Sequence, residues 1–296
     1  MIFSYRSTLV DREIKRAKNL LTSIDTEHWI EVARKNAMGL YGNTAEIIES
    51  RLLPLLVTDK YDELRFVVSE LDRQCYKHNG TLIFQLAMFV WAGFKSGRYS
   101  CETWATVLAL AWQSGSRGML ATVKLSQAQV VEMFNAAPKD VLMRTAEFEG
   151  DNLLQDFDSL EDEFQVFRGV STGISHFEDG FSWTLDPQQA LTFAALNCQN
   201  KKEIPGLIFA VVSKKSVLAI FSYEKEVVID PTVKKIKVEK HFLRGKDLRN
   251  FHSKVNVDAN TLDVVFNTGY QKNLLAFQPI PSQQSCISSA LNTHWN

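Results

Sequence analysis

Residues 147–170 read EFEGDNLLQDFDSLEDEFQVFRGV, and the fold class turns on what changes inside that stretch. From Glu147 to Glu163 it carries eight acidic residues and no basic one: Glu147, Glu149, Asp151, Asp156, Asp158, Glu161, Asp162 and Glu163. Its last part, FQVFRGV, alternates at a period of two, as a half-buried strand does. Upstream the period is different. STLVDREIKRAKNLL, TAEIIESRLLPLL, KYDELRFVVSELDRQC and CETWATVLALAW place apolar residues at three- and four-residue steps, which is helical. Helix breaks are expected at Gly39 to Asn43, Asn79-Gly80, Gly93 to Gly97 and Gly115 to Gly118. Ser126 is the expected N-cap of SQAQVVEMFNAA, and Pro138 and Asp140 open the helix DVLMRTAEFE.

Downstream, GLIFAVV, SVLAIF, EVVID, KKIKVEKHFL, TLDVVF and NLLAFQPI read as strands. One helix, DPQQALTFAALN, interrupts them, with Asp186 as cap and Pro187 at its first position. Helices first and a mostly antiparallel sheet afterwards indicate an α+β chain. The expected division is a helical part over 1–160 and a sheet part over 161–296. The helices are either a domain of their own or one lobe of a single domain. The acidic run between them is either a linker or a segment that docks on basic residues further along.

The 296 residues are 45% hydrophobic and 23% charged, a balance that indicates a globular chain rather than a disordered one. A net charge of −1 gives no global attraction to nucleic acid or an anionic membrane. Cys75, Cys101, Cys198 and Cys286 form no CxxC pair and no zinc spacing, so they read as free thiols in a reducing compartment, with no metal expected. MIFSYRSTLVDREIKRAKNLL turns charged at once and lacks the apolar core of a signal peptide. The most apolar run, Leu82 to Phe94, is too short to span a bilayer and contains Gln85, so it is expected to be a buried helix. A cytoplasmic protein is the expectation, unless a dedicated route exports it.

Three segments of the second half carry chemistry. Val166-Phe167-Arg168-Gly169 sets an arginine in a strand, followed by a glycine. Gly180-Phe181-Ser182-Trp183-Thr184 leads into the helix, with Ser182 and Thr184 on one strand face and Trp183 on the other. Tyr223-Glu224-Lys225-Glu226-Val227-Val228 sets two carboxylates on one face at the start of an apolar strand. Singly, these are an edge arginine, a strand ending in a helix cap, and a solvated charge run. In this order they resemble the arginine–serine–glutamate signature of the cholera-toxin-like ADP-ribosyltransferases. Ala190 and Phe193 match that family's Ala-x-x-Phe helix step, and Trp183 departs from it where a small hydroxyl residue is common. The resemblance covers roughly residues 164–280 and leaves the N-terminal helices unexplained.

The resemblance implies a split, mostly antiparallel β-sandwich core and NAD+ as co-substrate, with no metal. Cleaving nicotinamide from ribose spreads positive charge over the sugar, which a nearby carboxylate stabilises. It gives Glu226 that role through the ribose 2′-hydroxyl and lets Glu224 orient or deprotonate the acceptor. Ser182 holds Glu226 and the ribose in register, and Thr184 supports the same strand. Arg168, with Gly169 beside it, pairs with the pyrophosphate. Phe193 either flanks the nicotinamide or packs in the core.

Glu-x-Glu in this family accompanies arginine acceptors, which points to protein arginine. A counterweight follows directly. Lys234, Lys235, Lys237, Lys240, Arg244, Lys246, Arg249 and Lys254 face only Glu239 and Asp247, a local charge of 8 − 2 = +6. That stretch either grips a nucleic-acid backbone, with Phe242, Phe251 and His252 available to stack bases, or is a solvated edge hairpin. The implied partners are NAD+, a protein, RNA or DNA acceptor and an antitoxin, in an intracellular toxin or phage-encoded setting and without a membrane. The alternatives are an NAD+ glycohydrolase and an inactive binding module of the same fold.

Overall fold

The computed structural model describes residues 44–75, 81–115, 119–120, 125–147, 150–172, 179–197 and 203–242. The expected strands TLDVVF and NLLAFQPI, and Arg244, lie outside them. Helices occupy Tyr61–Cys75, Thr81–Lys95, Cys101–Gln113, Gln127–Asn135, Lys139–Ala146, Leu153–Ser159 and Pro187–Asn197. Strands β1 (Glu163–Ser171), β2 (Ser182–Thr184), β3 (Pro205–Ser213), β4 (Val217–Phe221), β5 (Glu226–Ile229) and β6 (Lys237–Phe242) complete an α+β chain of helices and antiparallel pairs. The chain splits into two compact units. One is Met1–Leu160 with Ser216–Val233, the other Glu161–Lys215 with Lys234–Asn296. The first break falls inside the acidic run, between Leu160 and Glu161, and β4 and β5 fall in the first unit.

The first unit is organised around the Cys101–Gln113 helix, in which every residue from Thr103 to Trp112 is buried. Ser100 starts it by accepting a hydrogen bond from the Thr103 backbone N–H at 3.0 Å. The Tyr61–Cys75, Thr81–Lys95 and Lys139–Ala146 helices pack around it. Ser126 caps the Gln127–Asn135 helix as expected, and Gln129 bonds back to it to complete a reciprocal capping box. The expected break at Gly93 to Gly97 is present, the helix ending at Lys95. Gly93 is there because the Tyr99 ring lies where its Cβ would be. The helix stops at Gly97, whose φ of +76° lets the Arg98 N–H reach the Gly93 carbonyl and its own N–H reach that of Phe94.

The acidic run is not a bare linker, because it contains the Leu153–Ser159 helix, capped by the Asn152 side chain on the Gln155 N–H. That helix and the Gln127–Asn135 and Lys139–Ala146 helices all pack on β4. All five residues of β4 and all four of β5 are buried, which is why both read as apolar runs rather than alternating ones. Lys139 adds a tie by donating from Nζ to the Val217 carbonyl at 2.6 Å.

In the second unit the strands lie in the order β2, β1, β3, β6, every neighbour antiparallel. β1 and β3 pair over nine residues, Glu163 opposite Ser213 through Ser171 opposite Pro205. The Pro187–Asn197 helix packs on β1. It does so at Gly169, where a Cβ would run into the Ala190 carbonyl and the Ala194 N–H. Ala190, Leu191 and Leu207 close the core there, with Phe167 against them.

Candidate active site

The carboxylates belong to the first unit. β4 and β5 pair with Phe221 opposite Glu226, and the connection between them is the 3-10 turn Tyr223–Lys225. This corrects the expectation that Glu224 and Glu226 share a strand face: the strand begins at Glu226, and Glu224 sits in the turn. Both Glu224, at φ +64°, and Lys225, at φ +46°, adopt the left-handed conformation without being glycine. Each such residue costs on the order of 1 kcal/mol. The chain thus aims the Glu224 side chain by a strained turn, where alternation would not have put it.

Glu226 is buried, at 8% exposure, and the Trp112 indole Nε1–H donates to its Oε1 at 3.1 Å. Glu224 is partly buried close by. Burial first, and then the negative charge of Glu226, push the Glu224 carboxyl up to about 7. The two carboxyls therefore have unlike environments: one is held by a buried donor, the other is poised to gain or lose a proton near neutrality. Lys225 acts on Asp156 of the acidic run, opposing the upward push that burial, Asp151 and Glu147 exert on that carboxyl.

Arg168, Ser182 and Thr184 belong to the second unit. The Arg168 guanidinium donates to the Ser182 carbonyl at 2.5 Å and lies 6.0 Å from the Trp183 ring centroid. It occupies the space that a Cβ on Gly180 would fill. Arginine and serine are thus brought together through the backbone of β2, which pairs with β1 at Phe167 opposite Thr184. Trp183 is buried and donates to the Gly180 carbonyl at 2.9 Å, so the residue that departs from the family pattern fills core. Thr184 accepts from the Asp186 N–H at 3.0 Å and so shapes the turn into the helix. Gly169 gives that helix its close approach, and Phe193 lies half-buried on it.

The basic stretch is represented by Lys234, Lys235, Lys237 and Lys240. The Lys235 ammonium sits 5.4 Å from the Trp183 ring centroid. Lys237 forms an ion pair with Glu239 and lies 5.9 Å from the Phe209 ring centroid. His241 stacks on Phe209 at 5.6 Å and reaches Glu239 at 3.6 Å. Part of the charge is thus matched within β6 itself, and hydrogen bonding from Lys237 holds the Glu239 carboxyl below its usual range.

Trp112 was not visible as a site residue. Its sequence signal is that of any core aromatic in an apolar helix, and only the fold brings it to Glu226. Cys101 is a free thiol. Among the described residues no cluster of three or more His, Cys, Asp or Glu could hold a metal ion, and no helix is long and apolar enough to cross a membrane. Compared with family models, curated proteins and solved structures, the chain matches none of them.

Proposed function

We propose that this chain is a mono-ADP-ribosyltransferase that moves ADP-ribose from NAD+ to a macromolecular acceptor, with a helical lobe preceding a split, mostly antiparallel transferase core. The observation that carries the reading is the Glu224-Lys225-Glu226 turn. A buried carboxylate with a fixed donor follows two left-handed non-glycine residues. Strain of that kind persists where the surroundings enforce it, and functional sites are where it concentrates. The carboxyl pair also has the split environments that acid–base chemistry requires.

In this reading Glu226 stabilises the cationic ribose as nicotinamide leaves. Glu224, titrating near 7, takes a proton from the incoming nucleophile. Arg168 supplies a guanidinium fork to the pyrophosphate, and Ser182 keeps the ribose in register. Protein arginine is the favoured acceptor class. A base near neutrality suits a guanidinium that must lose a proton, and Lys235 and Lys237 of the basic stretch already have partners.

The test is to incubate the protein with labelled NAD+ and a cell lysate, then digest separately with protease and nuclease. Label released by protease and resistant to nuclease is expected. Label lost to nuclease alone would replace arginine by a nucleic-acid acceptor, and free ADP-ribose without labelled macromolecule would select the glycohydrolase.

A further inference from the structure

We infer that Trp112 is a positioning residue for the Glu226 carboxylate, which makes the helical lobe part of the working site rather than an accessory to it. The inference rests on the transferase reading above. Trp112 is far from Glu226 in sequence, near the end of the Cys101–Gln113 helix, yet its indole Nε1 lies 3.1 Å from Glu226 Oε1.

A buried tryptophan needs an acceptor for its N–H, and a backbone carbonyl ordinarily suffices. Trp104, about two helical turns earlier, does that with the Met133 carbonyl at 2.9 Å. Trp112 instead meets a buried carboxylate, for which a neutral acceptor cannot be exchanged without consequence. A charge removed from water needs donors, and a donor aimed at it favours the ionised form. The indole is itself held rigidly. It is 1% exposed, and the Phe134 ring meets it edge-on, with centroids 4.9 Å apart and planes at 85°. A stiff, fully packed donor fixes the rotamer of the carboxylate it binds, which a flexible polar side chain would not. Trp112 thereby holds the Glu226 carboxylate in the orientation its proposed role at the ribose requires.

Two arms test this on the full-length chain. The first follows the Trp112 indole N–H resonance by NMR in the wild type and in Glu226→Gln. Loss of the charged acceptor is expected to move it upfield; an unmoved resonance overturns the inference, with no activity required. The second compares steady-state kinetics of the wild type and Trp112→Phe, which keeps an aromatic ring and removes the N–H. A fall in kcat of about tenfold or more, with KM for NAD+ within about twofold, is expected from losing a hydrogen bond to a charged group. An unchanged kcat, or a loss wholly in KM, overturns the positioning role. Phe134→Leu, which leaves the N–H in place and loosens its orientation, is expected to lower kcat less than Trp112→Phe; an equal or larger loss overturns the role of the N–H. A wild type that consumes no NAD+ would fail the transferase reading and the catalytic role together, and the resonance arm would then separate that failure from the absence of the contact.

Discussion

Replacing Glu224 by glutamine changes the protein's stability in a way that depends on pH, and the sign follows from the site. The Glu224 carboxyl is raised from 4.5 to about 7, first by burial and then by the charge of Glu226. The folded chain therefore binds this proton more tightly than the unfolded chain. Stability contributed by the protonated group is fully present below about pH 4.5 and is lost as the pH rises through about 7. At about 1.4 kcal/mol for each pH unit the displacement sets a ceiling of roughly 3 kcal/mol. Glu224 remains partly exposed, so screening by solvent reduces this to about 1–2 kcal/mol. Glutamine carries the same left-handed backbone cost and no charge. Glu224→Gln should thus equal the wild type near pH 4.5, gain on it steadily to pH 7, and stay ahead by a few °C in Tm above that. Thermal denaturation of both proteins across this range measures the difference directly. A Tm difference that is the same at every pH would refute the assignment of Glu224 as the group that titrates near neutrality. The transfer rate of the wild type should rise about tenfold between pH 6 and pH 8 with the same ionisation.

Three further outcomes are expected. Gly169→Ala should destabilise the second unit by about 1–3 kcal/mol, read by denaturant unfolding, because its Cβ meets the backbone of Ala190 and Ala194, which cannot swing aside. Gly180→Ala should leave Tm nearly unchanged, since the atoms nearest its Cβ are the movable end of Arg168, yet raise KM for NAD+ severalfold by displacing that guanidinium. Lys225→Gly should relieve its left-handed backbone and stabilise the chain by up to about 1 kcal/mol in the same unfolding assay, while lowering kcat if the strain aims Glu224.

Local rules made much of the fold readable. The Ser126 N-cap and the Pro187 start of the last helix are chemistry within four residues, and the structure has both. The apolar steps of CETWATVLALAW likewise become a buried helix. What resisted reading depended on distant partners. The close approach of Tyr99 to Gly93 has no mark in the local sequence. Glu224 looks like a strand residue until the turn that lifts it out is built. β4 and β5 read correctly as strands, yet nothing local shows that helices from far earlier in the sequence pack on β4. The residues of the candidate site differ in the same way. Arg168, Ser182 and the two glutamates stand out by type and order, whereas Trp112 has no local mark. Gly169, expected beside a pyrophosphate, has a packing task that sequence could not reveal.

The most direct measurement is nicotinamide release and transfer of labelled ADP-ribose from NAD+ by the purified full-length chain, beside Glu226→Gln. The wild type should release nicotinamide and label a macromolecule, and the folded variant should do neither. A variant that transfers label as the wild type does would contradict the role of Glu226, and a wild type that releases no nicotinamide with any acceptor would contradict the transferase itself.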